Sequence, residues 1–191
     1  MILSTATPTE LGMEVSSEDL ASQKLTPLDP SPILDHINAR FDFPDNLFDE
    51  LVFVRANRSV VRAFPRTLRL FARPAFDRVG IDFLRIDMAN PRLTTTAVMT
   101  WGRRARQNAV DSTREQCERF LRRRPVALTS DQLARCTGRG FVIMRHYGHG
   151  LGVGFLESTY EDDESFAQMR SLYPRAFSRD LENTSPFGNP S

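Results

Sequence analysis

Glycine stands at 148, 150, 152 and 154 in the stretch RHYGHGLGVGFLES, Arg145 to Ser158. Glycine weakens strands and helices, so four of them at alternate positions need a structural reason. A dinucleotide-binding loop requires G-x-G-x-x-G between a strand and a helix, which brings the pyrophosphate to the helix N-terminus. The spacing here is G-x-G-x-G, and the FLESTYEDDES that follows is acidic and repels phosphate. A strand accounts for the period better. Alternate strand residues share a face, which predicts Leu151, Val153 and Phe155 toward the core and Gly150, Gly152 and Gly154 on a bare opposite side. A bare side admits close approach of another backbone, that of a neighbouring segment or of a ligand. Packing of a neighbouring segment is the plainer reading.

The rest of the chain supplies the partners. SPILDHINARF predicts a helix, with Ser31 as cap, Pro32 in the first turn and Ile33, Leu34 and Ile37 on one face. Pro44 is expected to open a second short helix carrying Leu47, Phe48 and Leu51. LVFVRANRSVVRAF reads as two strands around Asn57, and GIDFLRID as a third. LTTTAVMTWGRRARQ is helical, with Thr94, Ala97, Val98, Trp101 and Ala105 on one stripe. That stripe makes Trp101 a core residue rather than a stacking platform. NAV is a short strand. DSTREQCERFLRRR is a helix with Ser112 and Glu115 at capping-box spacing and Cys117, Phe120 and Leu121 as its apolar face. GRGFVIMRHYGHGLGVGFLES is a strand, a Gly-rich turn and a second strand. Runs of strands and helices without βαβα alternation predict an α+β fold.

No apolar run approaches the roughly 18 residues that cross a bilayer, and the N-terminus lacks a basic, then apolar, secretory pattern. Cys117 and Cys136 show no metal or redox spacing, so an intracellular, cytoplasmic protein is expected. His146 and His149 flank the Gly-rich turn, and with His36 they make no metal-ligand pattern, so neither metal nor cofactor is expected. No nucleophile motif is present.

A net charge of +1 conceals a block structure. Residues 1–50 carry ten acids against Lys24 and Arg40; residues 51–157 carry 20 arginines against eight acids, a net of +12; residues 158–191 return to a net of -3. A +12 middle is the footprint of a polyanion binder. The competing reading is a solvated surface with acidic tails folded over it. Arg119 and Arg122 have Glu115 and Glu118 four residues earlier and partly neutralise themselves. Arg92, Arg103, Arg104 and Arg106 lie in a window without an acid, Met88 to Val110, which is the more specific signal.

These pieces, in order, resemble a known domain. GIDFLRID, LTTTAVMTWGRRARQNAVDSTREQCERFLRRRPV, GRGFVIMRHYGHGLGVGFLES and LYPRAFSRDL are similar to the C-terminal PUA-like domain of the Fmu/Sun rRNA cytosine-5 methyltransferases. Asn108 and Val110 stand for the family's N-V pair, Phe120 to Arg122 for its FLR piece, Leu151 to Gly154 for LGVG and Tyr173 to Arg175 for the closing segment. ILDHINARFDFPDNLFDELVFVRAN is similar to the region preceding that domain. The resemblance covers about residues 33–181. The family's methyltransferase portion has no counterpart: no S-adenosylmethionine loop precedes a helix, neither cysteine follows a proline, and Arg123 stands where glycine follows FLR.

The resemblance implies a small mixed β pseudobarrel with peripheral helices and an N-terminal helical segment. The expected organisation is a disordered acidic tail over 1–30, a helical and strand lead-in over 31–75, the PUA-like domain over 76–181 and a disordered tail over 182–191. The expected function is non-catalytic binding of structured rRNA or tRNA in RNA modification or ribosome biogenesis. The expected partners are RNA and a methyltransferase or ribosome-assembly protein, with no membrane. The arginines expected on the RNA surface are Arg92, Arg103, Arg104, Arg106, Arg123, Arg124, Arg145, Arg175 and Arg179, beside the close-approach glycines Gly150, Gly152 and Gly154. The alternatives are a protein-interaction module docking on such a partner, and a small enzyme with an unrecognised site.

Overall fold

The computed structural model describes residues 20, 25–68, 79–87, 90–157 and 167–179. The architecture is α+β, with two five-stranded sheets, one of them curled into a half-barrel. The first sheet is an antiparallel meander of β1 (Thr26–Pro27), β2 (Leu51–Arg55), β3 (Val60–Pro65), β4 (Ile81–Arg85) and β5 (Arg92–Leu93). The second holds β6 (Ala109–Asp111), β7 (Val126–Ala127), β8 (Gly140–His146), β9 (His149–Leu156) and β10 (Gln168–Ser171), in spatial order β6-β8-β9-β10-β7. Its β6–β8 pair is parallel and the rest antiparallel. The helices are α1 (Ser31–Phe41), α2 (Thr95–Trp101), α3 (Arg114–Leu121), α4 (Ser130–Leu133) and α5 (Arg175–Arg179), with a 3-10 turn, Gly102–Arg104, continuing α2.

Local chemistry sets the element ends. The Asp29 carboxylate accepts the Ser31 N–H at 3.0 Å, so Ser31 is the first helical residue rather than the cap. Asp42, at φ 47°, closes α1 in the left-handed region. Asn57 turns the β2–β3 hairpin by accepting the Ser59 N–H at 2.8 Å. The short helix expected after Pro44 is a set of turns, because Leu51 is drawn into β2 by its pairing with Pro65. The α3 capping box uses Thr113 and Gln116, one residue beyond the expected Ser112 and Glu115. Ser112 is held elsewhere: its N–H donates to the Arg145 carbonyl at 2.8 Å, extending the β6–β8 pairing.

Thr26–Pro27 pairs with β2, and Leu20 and Leu25 are buried against Val54 and Phe64. The expectation of disorder over 1–30 is thereby corrected for residues 25–30; residues 1–19 and 21–24 lie outside the described residues, as does the tail 182–191. The pairing of β3 with β4 crosses the 75/76 line expected between lead-in and main domain. One core spans that line. Phe48 and Phe83 meet edge to face at 5.4 Å, and both touch Trp101. The same core takes in Ile37 and Phe41 from α1, Val98 from α2 and Ile143 and Val153 from the second sheet. Each fully buried phenylalanine removed from water contributes about 1.5–3 kcal/mol. A second core, with Phe120, Val142, Met144, Leu156 and Met169, lies between the second sheet and α3.

The four glycines have three separate reasons. Tyr147 and Gly148 form the β8–β9 turn with both φ positive, 47° and 76°, the geometry a two-residue hairpin loop requires. Beyond it the register slips: Arg145 pairs with Gly150 and Met144 with Gly152, leaving Leu151 as a bulge. The bulge turns Gly150 toward α2, while Gly152 and Gly154 face the second core. The expectation that all three share one face fails for that reason. A Cβ on Gly150 would stand 2.1 Å from the Val98 carbonyl oxygen, so the helix backbone rests directly on the strand. A Cβ on Gly152 would meet Phe120 at 3.5 Å, and one on Gly154 the flexible Met169 sulfur at 2.5 Å. Leu151 packs on the second core, Val153 on the first, and Phe155 is half-buried against Phe141. Both faces of β9 are therefore covered, and the covering groups are protein.

Candidate nucleic-acid interface

Seating α2 on Gly150 places the N-terminal end of that helix between β4 and β9. Thr94 caps it, accepting the Ala97 N–H at 3.1 Å while its hydroxyl donates to the Asp82 carbonyl. A cavity of about 300 Å³ opens there, walled by the β4–β5 edge, by Thr94 to Thr96, by Val153 of β9 and by the segment leading into α5. Arg85 and Arg92, paired across β4 and β5, line it together with Arg123.

The arginines at this cleft feel one another. Burial, and then the neighbouring Arg85, pull the Arg92 guanidinium below the ordinary arginine range, with Arg123 and Arg170 adding to the effect and Asp87 opposing it. Burial, then Arg175 and Arg170, do the same to Arg123. Arg85, Arg92 and Arg123 line the cavity, and Arg170 and Arg175 act on this group electrostatically. Three carboxylates temper it: Asp82, which lines the cavity and is held by Arg62 Nε at 3.0 Å; Asp87, 3.5 Å from Arg85; and Glu157, 2.9 Å from Arg170. Arg92 Nε is buried without a hydrogen-bond partner. Such a donor is costly to leave unmatched.

Arg123 is positioned by its backbone. It sits at φ 58° just beyond α3, and Nη1 donates to the Tyr173 carbonyl, tying the end of α3 to the closing segment. Phe120, Tyr173 and Phe177 follow one another at centroid spacings of 6.1 Å, from the second core out to the cavity mouth. Phe177 is 56% exposed.

Of the arginines expected on an RNA surface, Arg92 and Arg123 line this cavity, and Arg175 lies in electrostatic reach of Arg123. Arg103, Arg104 and Arg106 are exposed, but stand beyond the other end of α2. The backbone N–H of Arg106 is held by the Phe41 carbonyl at 3.1 Å. Arg124 is exposed next to Arg123 and does not line the cavity. The Arg145 side chain, 13% exposed, bonds the Asp111 carboxylate at 2.8 Å and the Ala105 carbonyl at 3.3 Å, away from the cavity lining. Arg179 ends α5, and its side chain lies outside the described residues. Of the self-neutralised pair, Arg122 meets Glu118 at 3.2 Å, whereas Arg119 Nε turns to the Pro125 carbonyl at 2.9 Å.

Arg85 lines the cleft and Arg170 acts on it electrostatically, neither having been expected there. Arg85 has Asp82 and Asp87 for sequence neighbours, and Arg170 lies in the net-acidic C-terminal block, so neither stands out by local charge. Burial pushes the Cys117 thiol up to about 11, which keeps it protonated and a poor nucleophile at neutral pH. Among the described residues no helix is long and apolar enough to cross a membrane. No family model matches the chain, and no curated protein matches it.

Proposed function

We propose that the chain is a non-catalytic RNA-binding protein, PUA-like in fold, that takes the phosphate backbone of rRNA or tRNA at the arginine cleft. The observation that carries this reading is the meeting of Arg85, Arg92 and Arg123 on one concavity, with Arg170 and Arg175 in electrostatic reach. Like charges gathered this closely oppose folding unless an anion balances them. Guanidinium forks match phosphate geometry bidentately. The sequence resemblance supports the same ligand and suggests an RNA-modification or ribosome-assembly partner.

The test is binding to tRNA and rRNA fragments across a salt series. Each phosphate neutralised releases counterions and contributes about -0.7 to -0.9 to the slope of log K against log salt. Three to five contacts give a slope on the order of -2 to -4. Binding that is undetectable at low salt, or insensitive to salt, rejects the proposal.

A further inference from the structure

We infer that the cavity receives one unpaired nucleotide of the bound strand, with its phosphate at Arg92 and Arg123 and its base against Phe177. This rests on the RNA reading and adds to it a preference for unpaired over duplex RNA.

Size comes first. About 300 Å³ is at the small end of ligand pockets, which run from roughly 300 to 1,000 Å³. An A-form helix cannot enter such a space, whereas a base splayed out of a single strand can. The lining residues are of two chemical kinds. Arg92, Arg123 and Thr95 offer cationic and hydroxyl donors, with the lining carboxylate Asp82 engaged by Arg62, and Leu172, Pro174 and Phe177 offer apolar surface. A nucleotide has the same division, an anionic phosphate and a flat, largely apolar base. Inorganic phosphate would leave the apolar surface uncovered, and an apolar ligand would leave the guanidiniums unmatched.

Phe177 is the second independent observation. Among the described residues the large apolar side chains left exposed are Met99, Tyr147 and Phe177, and of these Phe177 lines the cavity. Tyr173 packs against its ring at 6.1 Å, with the planes 55° apart. An exposed aromatic ring beside arginines is the combination by which single strands are held: stacking on the ring, charge on the backbone. Free nucleotides share this chemistry, so the experiment has to separate the two sources.

The full chain is titrated with an unpaired RNA oligonucleotide, a blunt RNA duplex of the same composition, 5′-AMP, adenosine and inorganic phosphate. Affinities are read by fluorescence anisotropy and calorimetry, and amide shifts are followed at Thr95, Leu172 and Phe177. The unpaired strand should bind more tightly than the duplex, and 5′-AMP should bind more tightly than either phosphate or adenosine and compete with the strand. Phe177→Ala should weaken strand binding about tenfold, the effect of losing one stacked base, and Phe177→Trp should restore it. Phe177 is exposed, so both variants should melt with the parent, and that is checked. Equal affinity for strand and duplex, with Phe177→Ala neutral, would sink the nucleotide pocket and leave the RNA reading standing. Binding of 5′-AMP without any RNA binding would overturn the RNA reading and make this a free-nucleotide site. Absence of shifts at the three amides with every probe would reject both.

Discussion

The two ends of α2 carry the two arginine groups of this protein, and they differ in kind. At the C-terminal end Arg103, Arg104 and Arg106 lie within four residues, in a stretch of sequence without an acid, and are exposed on and just beyond a 3-10 turn. At the N-terminal end Arg92 shares a cavity with Arg85 and Arg123, with Arg170 and Arg175 in electrostatic reach of Arg123 and carboxylates partly offsetting the charge. A helix of seven residues, rising about 1.5 Å each, keeps the groups on the order of 10 Å apart. The first group has more local charge. The second has convergence, partial burial and an adjacent aromatic ring. Exposed charges are solvated singly, whereas charges lining a concavity act on the same ligand and in a lower dielectric. Density of arginine along the chain is therefore a poor guide to where arginines converge on a cavity.

The seat of α2 underlies both groups, so the largest effect is expected there. Gly150→Ala drives a methyl group into the Val98 carbonyl and should cost about 3 kcal/mol, the upper end for overpacking, with a fall in Tm on the order of 10 °C. Gly152→Ala places its methyl at ordinary contact with Phe120 and should remain within about 1 kcal/mol of the parent. Equal losses by thermal unfolding would show that the helix does not rest on Gly150.

A second substitution should loosen one end of α2 and spare the other. Asn108 is fully buried; its Nδ2 donates to the Arg40 carbonyl at 2.6 Å and to Thr137 Oγ1 at 2.9 Å, and its Oδ1 accepts the Thr137 N–H at 2.9 Å. Asn108→Ala leaves those groups unmatched and should destabilise by about 2 kcal/mol. Amide exchange should accelerate at Gln107 and Thr137 and stay unchanged at Leu93 and Thr94. Acceleration at all four would mean that the two ends are not separable.

The smallest and most specific effect concerns RNA. Replacing Arg92 and Arg175 with Gln should flatten the salt slope of binding by about 1.5 to 2, one contact for each arginine. Replacing Arg103, Arg104 and Arg106 together should change it by less than about 1, although three charges are removed. A larger change from the triple variant, at matched folding by circular dichroism, would move the interface to the C-terminal end.

Much of this fold was legible residue by residue. The β2–β3 and β8–β9 hairpins, α2 with Ala97 and Val98 buried, and the Cys117 and Phe120 face of α3 all follow from periodicity and turn chemistry, which act over a few residues. The capping box of α3 shows where that range ends. Ser112 with Glu115 and Thr113 with Gln116 both have the required spacing, and a strand pairing to Arg145, far along the chain, selects the second. Arg145 itself illustrates the same limit: its charge was visible, its burial against Asp111 was not.

The sequence by itself determined that glycine must recur along β9 and that the middle of the chain must be strongly basic, because backbone sterics and net charge are properties of the residues alone. Only the tertiary structure decided which glycine faces which core and which arginines meet. A single bulged residue, Leu151, reverses the side on which Gly150 lies, and so sets where α2 rests. Arg92, Arg123 and Arg175 are scores of residues apart in the chain. Their electrostatic proximity depends on two sheets closing around that helix, a long-range packing outcome that no local pattern encodes.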